Sequence, residues 1–173
     1  MRRISYLTST AVAVCLTCAT VYAYAELKPA ARIVEQADAP VKITSYSARY
    51  IRGSQYTTEG IHHELKYQNN SDRQIEALQV GLISFDVWNQ FLDRTNGLST
   101  SSLASGKAGS GTWIARAYGD FSFLTGVAYV RRVRFADGTI WTADEDRIVE
   151  ELRQIEKDFD ASILKKKEGS EDK

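Results

Sequence analysis

A strand with two apolar faces constrains the fold of this chain more than any other stretch of its sequence. The segment from about Ile75 to Val87 is mostly apolar. One face carries Leu78, Val80 and Leu82, and the other carries Gly81, Ile83, Phe85 and Val87. Because successive side chains of a strand point to opposite faces, each face needs its own cover. The sequence therefore predicts a central strand that lies between two layers.

An apolar stripe near the C-terminus, with helical spacing, can cover one face of this strand. Thr142, with Glu145 three residues later, forms a capping box that marks the start of a helix. The apolar residues that then recur at spacings of four and three are Ile148, Leu152, Ile155, Phe159 and Ile163. Such spacing is typical of one face of a helix. The sequence predicts an amphipathic helix over residues 143–164 and a charged tail over residues 165–173.

Two ways of burying this stripe follow from its spacing. The helix can pack on the sheet face that carries Ile83 and Phe85, which covers helix and strand at once. Residues 148, 152, 155 and 159 also fit the a and d positions of a heptad, so a coiled coil with a second copy stays open. Packing within the chain is favoured because it also covers the central strand.

Alternating residues predict further strands on both sides of the central strand. From Val41 onward the alternation changes phase near Thr44, which predicts a bulge there. A second strand is predicted over Gly60–Gln68, and another over residues 112–118. The stretch 91–111 is rich in glycine and serine and is predicted to be mostly loop.

The dipeptide Asp137-Gly138 predicts the clearest hairpin of the chain. Residues 127–135 and 139–141 flank it, and Asp-Gly favours a type I′ turn. Short strands with turns between them, and no alternation of strands with helices, predict an antiparallel immunoglobulin-like sandwich over residues 41–142. Residues 26–40 precede it as a leader or short edge segment. The fold class predicted is mostly β, with one C-terminal helix.

The first 25 residues have the pattern of a cleavable signal peptide. Arg2 and Arg3 precede an uncharged stretch, and small residues at 23 and 25 match the requirements of a signal peptidase. We predict cleavage between Ala25 and Glu26. A retained membrane anchor is one alternative, although the stretch is rich in Thr, Ser and Ala. A lipoprotein signal is another, and it fits poorly because neither cysteine follows a small residue.

Cleavage at this site removes Cys15 and Cys18, the two cysteines of the chain, and with them disulfide and thiol chemistry. The formal charge becomes 20 − 22 = −2 because two arginines are lost. A nucleic-acid binder normally carries a basic excess, so this class is not predicted. No later apolar stretch approaches a membrane span. The predicted location is periplasmic or secreted.

Three stretches carry a family resemblance. Val80–Asp86 is an apolar strand ending in Asp, Leu103–Gly106 is a turn, and Val133–Trp141 is the closing hairpin. Together they resemble the immunoglobulin-like sandwich of bacterial exported proteins of the FxLYD type, over about residues 41–142. The run Leu82-Ile83-Ser84-Phe85-Asp86 only approximates the Phe-x-Leu-Tyr-Asp of that family. The resemblance implies a fold and a binding or structural role, and no reaction.

The sequence offers few residues for catalysis or metal binding. His62 and His63 are adjacent, so on a strand they point to opposite faces and cannot share an ion. His63 is predicted in the core or at its rim, and His62 in solvent. The aspartates at strand ends or turns, where Asp bonds the local backbone, are Asp86, Asp93, Asp120 and Asp137. We predict no catalytic residue, no metal and no cofactor.

Two groups of residues are candidates for contact with a partner. The group that follows the central strand is Trp88, Asn89, Phe91 and Leu92. Exposed aromatic residues mark interaction surfaces, and the alternative is that this group caps the core. The second group, a basic patch for an anionic partner, is Arg116, Arg132 and Arg134. Its alternative is a solvated strand face with acidic partners. Arg131 breaks the alternation, which predicts a carboxylate partner or a bulge.

These observations favour a non-catalytic, exported interaction or structural module of the cell envelope, with an unidentified protein as its candidate partner. One alternative is a small-ligand-binding protein or enzyme with a pocket at the strand ends near Trp88. The other is a protein that associates with itself through the C-terminal helix.

Overall fold

The computed structural model describes residues 28–115 and 122–165, which form a mostly β structure of two facing sheets. The strands are β1 (Ala30–Ile33), β2 (Val41–Ile51), β3 (Gly60–Asn69), β4 (Ile75–Asp86), β5 (Phe91–Ser99), β6 (Ala108–Ala115), β7 (Phe123–Phe135) and β8 (Ile140–Thr142). The helices are α1 (Glu145–Leu152) and α2 (Ser162–Lys165). The larger sheet has the order β1-β7-β4-β5, with β8 paired to β7, and the smaller has the order β2-β3-β6. This confirms the predicted fold class of a β-sandwich with a C-terminal helix.

Strand β4 lies between β7 and β5 and is covered on both faces, as predicted. Its Leu78, Val80 and Leu82 face the core between the two sheets. Its Ile83 and Phe85 lie under the helical segment on the opposite face. The stripe of the C-terminal segment therefore packs within its own chain, and its buried members are Ile148, Val149, Leu152, Phe159 and Leu164.

The C-terminal helix is shorter than predicted. Instead of one helix over residues 143–164, α1 ends at Leu152 and hydrogen-bonded turns lead to α2. Asp160 accepts hydrogen bonds from the backbone N–H and the hydroxyl of Ser162, and such local bonding competes with a continuous helix. The predicted capping box is also wrong, because the side chain of Asp144 caps α1 by accepting from the Asp146 N–H.

The stretch 91–111 contains β5 and part of β6, so the prediction of mostly loop is wrong. Its glycines make room for aromatic rings that lie across the strands. A Cβ at Gly97 would lie 2.5 Å from the Trp113 ring, and a Cβ at Gly109 would lie 2.6 Å from the Tyr67 ring. Within these strands glycine makes room for a close packing contact, whereas in the sequence the same glycines indicated a loop.

The predicted hairpin at Asp137-Gly138 is present, but its turn is of another type. Gly138 has φ +85° while Asp137 does not have positive φ. The Gly138 N–H donates to the Phe135 carbonyl, and the Phe135 N–H donates to the Thr139 carbonyl. This is a three-residue connection with glycine in the left-handed region. The predicted bulge near Thr44 is confirmed by the register shift between Ile43 and Ser45.

Arg131 combines both predicted explanations. It is the extra residue of a bulge, because Val130 pairs with Val80 while Arg132 pairs with Gln79. Its guanidinium is 3.4 Å from Glu145 and donates to the carbonyl of Leu164 at 3.3 Å. Arg131 is buried, so this contact joins β7 to both ends of the helical segment.

Gln36 completes the edge of the larger sheet between β1 and β8. β1 is parallel to β7 and pairs with residues 125–128, while β8 pairs with residues 132–134. In the gap, the Gln36 amide accepts from the Val130 N–H at 2.8 Å and donates to the Val130 carbonyl at 2.9 Å. The side chain thus replaces a missing backbone partner, and it holds the segment that follows β1 against the sheet.

Replacing Gln36 with alanine is expected to lower the free energy of unfolding by about 1–2 kcal/mol, because both backbone groups of Val130 lose their partners. Amide hydrogen exchange at Val130 should accelerate accordingly. The matched control is Gln68→Ala, which removes an exposed amide bonded to the Gly106 carbonyl. Equal exchange at Val130 in Gln36→Ala and in the wild type would contradict this role.

The predicted signal peptide over residues 1–25, with its cleavage site at Ala25 and Glu26, lies outside the described residues, as does the tail from residue 166. Within residues 28–115 and 122–165, no helix combines the length and apolar character that crossing a membrane requires.

Candidate functional site

Trp88 is displayed on a hydrogen-bonded turn between β4 and β5. One carboxylate oxygen of Asp86 accepts from the N–H groups of Trp88 and Gln90, both at 2.8 Å. The Asp86 N–H donates to the Gln90 carbonyl, and Asn89 closes the turn with φ 61°. The indole of Trp88 is nevertheless 78% exposed. A large apolar side chain therefore stands in solvent on a turn whose backbone is fixed.

Phe91 and Leu92 do not share this exposure. Phe91 is half-buried and meets Phe159 edge-on, with ring centroids 6.0 Å apart. Leu92 packs against a cluster that includes Ile61 and Phe123. Both residues cap the core, as the alternative interpretation proposed, and the predicted four-residue surface is reduced to Trp88 and Asn89.

A second exposed aromatic side chain, which the sequence did not single out, lies at the same end of the sandwich. Tyr56 is 89% exposed and belongs to the connection between β2 and β3. Leu92, just after the Trp88 turn, packs in the cluster that holds Tyr50 and Ile61 on either side of that connection. The two connections therefore leave the sandwich at one end, and each presents one aromatic residue.

The predicted basic patch is present in part. Arg116 lies outside the described residues. Arg132 and Arg134 alternate with Val133 and Phe135 of the core, so they project from the outer face of the larger sheet. Arg134 is 3.8 Å from Glu76, and both side chains are about half exposed. Within the described parts of the chain, Arg132 has neither an ion pair nor a side-chain hydrogen bond.

Two exposed aliphatic residues flank these arginines. Leu98 of β5 and Ile140 of β8 are 59% and 60% exposed, and α1 and α2 leave them uncovered. They share a shallow depression with the arginines, which we name the open face, consisting of Ala77, Gln79, Leu98, Arg132, Arg134 and Ile140. Neither Leu98 nor Ile140 stood out in the sequence, because their common face depends on strand register.

His62 and His63 point to opposite faces of β3, as predicted. His63 is fully buried, and its Nδ1 lies 2.8 Å from the Tyr46 hydroxyl, with the two rings stacked. Burial, together with a smaller contribution from the neighbouring His62, lowers the pKa of His63 to about 4. His62 lies 2.9 Å from the Thr58 carbonyl. Among the described residues no cluster of His, Cys, Asp or Glu is arranged to hold a metal ion.

No family model matches the chain, and no curated protein matches it significantly. A crystal structure of a hypothetical protein from Peptoclostridium difficile 630 is similar with a TM-score of 0.48 and 10% identity, over 69% of this chain and 93% of that one. The X-ray structure of Northeast Structural Genomics Consortium target SoR45 has a TM-score of 0.37 and 16% identity, over 60% and 80% of the two chains.

Proposed function

We propose that this chain is a non-catalytic, exported interaction module that binds a protein partner through Trp88. The observation that carries the proposal is the 78% exposure of an indole on a turn fixed by Asp86. Tryptophan is enriched among the residues that dominate binding energy at interfaces. Because the turn is already ordered, little backbone entropy is lost when a partner covers the ring.

Tyr56 extends this candidate surface. Aromatic side chains offer a large contact area with few rotatable bonds, which is why tyrosine and tryptophan are frequent in loops that bind proteins. Two such residues on two connections at one end of a sandwich favour a protein partner over a small molecule. Asn89, also exposed, provides an amide beside the indole.

Two alternatives have less support. A catalytic pocket near Trp88 would need its strand-end aspartates, and one Asp86 oxygen is already occupied by two backbone N–H groups. Self-association through the helix would need an exposed stripe, and Ile148, Leu152 and Phe159 are buried against the sheet.

Export remains part of the proposal on the strength of the charged start, uncharged stretch and small residues of the first 25 positions. The resemblance of residues 41–142 to the FxLYD type also remains part of the proposal.

The test is affinity capture by the mature chain from the cell envelope, followed by measurement of the captured protein against purified variants. Trp88→Ala is expected to weaken binding at least about tenfold while the free energy of unfolding stays within about 0.5 kcal/mol of wild type. Tyr56→Ala should weaken binding of the same partner by a smaller factor, because a phenol ring offers less contact area than an indole.

Ile114→Ala is the matched control, because it shortens an exposed apolar side chain on the outer face of the smaller sheet, away from both Trp88 and the open face. Phe91→Ala is unsuitable as a probe, since it also removes a contact with buried Phe159. If every captured partner binds Trp88→Ala as tightly as wild type, the proposed surface is wrong.

A further inference from the structure

The open face carries a pattern that neither the fold nor the Trp88 surface explains. In the outer layer of the larger sheet, the helical segment covers Ile83, Phe85, Val127 and Tyr129 and stops there. The adjoining part of the same sheet is left in solvent with two aliphatic side chains, Leu98 and Ile140. Exposed apolar residues occur singly on many surfaces, but here two of them share one depression with two arginines.

The strand register fixes the layout of this face. Leu98 pairs with Gln79, Gln79 pairs with Arg132, and the next row on the same face runs through Ala77, Arg134 and Ile140. Leu98 and Ile140 therefore lie at diagonal corners, three strand spacings and one two-residue step apart. With strands about 4.8 Å apart and a rise of about 3.3 Å per residue, their Cα atoms are separated by about 16 Å. The two arginines lie between them.

The open face carries positive charge that the carboxylates of a ligand can pair with. Arg132 has no ionic partner among the described residues, since its sheet neighbours are Gln79 and Thr142. Arg134 has Glu76 at 3.8 Å, but an ion pair between half-exposed side chains contributes only about 0–1 kcal/mol, so a second carboxylate can compete for it. Arginine also offers a planar set of donors that matches a carboxylate.

We propose that the open face docks an acidic amphipathic helix of another protein, separately from any partner of Trp88. A separation of about 16 Å equals about eleven residues of helix, or three turns, so two aliphatic residues at i and i+11 lie on one stripe. Carboxylates at i+4 and i+7 of that stripe lie between the two aliphatic residues, as the two arginines do on the open face. The ligand class is thus a helix whose stripe reads apolar, acidic, acidic, apolar.

The probe is a fluorescent helical peptide of about fifteen residues with leucine at i and i+11 and glutamate at i+4 and i+7. Its matched partner replaces both glutamates with glutamine. Fluorescence anisotropy with the full chain should show that the glutamate peptide binds at least about tenfold more tightly, with an affinity that falls as salt is raised.

Chain variants locate the site. Arg132→Glu and Leu98→Ser are each expected to weaken the glutamate peptide at least about tenfold, and both positions are exposed, so folding should be unaffected. Arg49→Glu is the matched control, because Arg49 is an exposed arginine of β2 on the other sheet. Trp88→Ala should leave peptide binding unchanged, which separates this site from the proposed function.

Three results would overturn the proposal. One is equal binding of the glutamate and glutamine peptides, and another is equal weakening by Arg49→Glu and Arg132→Glu. The third is sedimentation evidence that the full chain dimerises, that Leu98→Ser abolishes the dimer, and that the glutamate peptide does not compete. In that case the occupant of the open face is a second copy.

Discussion

Lowering the pH from 7 to 4 is expected to reduce the free energy of unfolding by about 3 kcal/mol through His63 alone. The pKa of His63 is lowered from 6.5 to about 4 in the folded chain, chiefly by burial. Because the unfolded chain takes up the proton first, the stabilisation is present above pH 6.5 and is lost progressively as the pH falls towards 4. Below that value the folded chain also protonates, and the loss levels off.

The surroundings of His63 explain why it resists a proton. The ring is fully buried on β3, opposite Ala48 on one side and Trp113 on the other. Burial raises the pKa of Tyr46, so its hydroxyl keeps a proton that it can donate to Nδ1 of His63. The second ring nitrogen, Nε2, has no partner among the described residues. A protonated imidazole here would be a buried charge beside another histidine, with no compensating carboxylate among the described residues.

The measurement is urea unfolding at pH 7, 5.5 and 4. His63→Asn is expected to be less stable at pH 7, because it leaves a cavity, while its amide oxygen still accepts from Tyr46. Its stability should change much less between pH 7 and pH 4 than that of the wild type. His62→Asn is the control, since His62 is only partly buried, and it should keep most of the wild-type pH dependence. An unchanged slope in His63→Asn would contradict the assignment.

Two aspartates affect stability at lower pH than His63 does, so they do not obscure the effect of His63. Hydrogen bonds from Thr139 lower the pKa of Asp137 to about 2, and hydrogen bonds from Ser162 lower that of Asp160. A carboxyl group with a lowered pKa stabilises the fold above its unfolded value of 3.8 and loses that contribution only below it. The part of a decline in stability between pH 6.5 and pH 4 that His63→Asn abolishes therefore reports on His63.

The alternation of side chains was sufficient to predict most strands, because it is a local property of the chain. β4, the bulge at Thr44 and the hairpin at Asp137-Gly138 all carry their signal within a few residues. The local sequence signal of β5 and β6 is misleading. Glycines such as Gly97 and Gly109 look like loop residues until the rings that lie across them, Trp113 and Tyr67, are known. Those contacts join different strands, so the alternation within one strand does not show them.

The candidate sites also divide into those that a local sequence signal predicts and those that depend on tertiary contacts. Trp88 was predicted because an aromatic residue follows a strand and precedes a turn. Phe91 and Leu92 were assigned to the same surface because β5 had not been recognised, and as strand residues they point into the two neighbouring cores. The open face could not be predicted, since Leu98 and Ile140 are far apart in sequence and are brought to one face of the sheet only by the register of β4 and β7.

The packing of the C-terminal segment predicts the largest effect of a single truncation. Phe159 is 1% exposed and lies against Phe85 and Phe91, with ring centroids 6.1 and 6.0 Å apart. Phe159→Ala is expected to lower the free energy of unfolding by about 3–5 kcal/mol, because a buried ring is replaced by a cavity. A domain of this size has about 5–15 kcal/mol in total, so urea unfolding should show a large shift of the midpoint.

Charged substitutions then decide between the two ways of burying the stripe. Leu152, the last residue of α1, is fully buried against the larger sheet. Leu152→Asp is expected to unfold the domain, because a carboxylate would be placed in an apolar core without a partner. Glu151→Asp is the control, since Glu151 is exposed on the same helix. If the stripe instead joined two copies, Leu152→Asp would give a folded monomer from an oligomer. Circular dichroism with light scattering separates these outcomes, and a folded monomer would show that the segment belongs to an interface and not to the core.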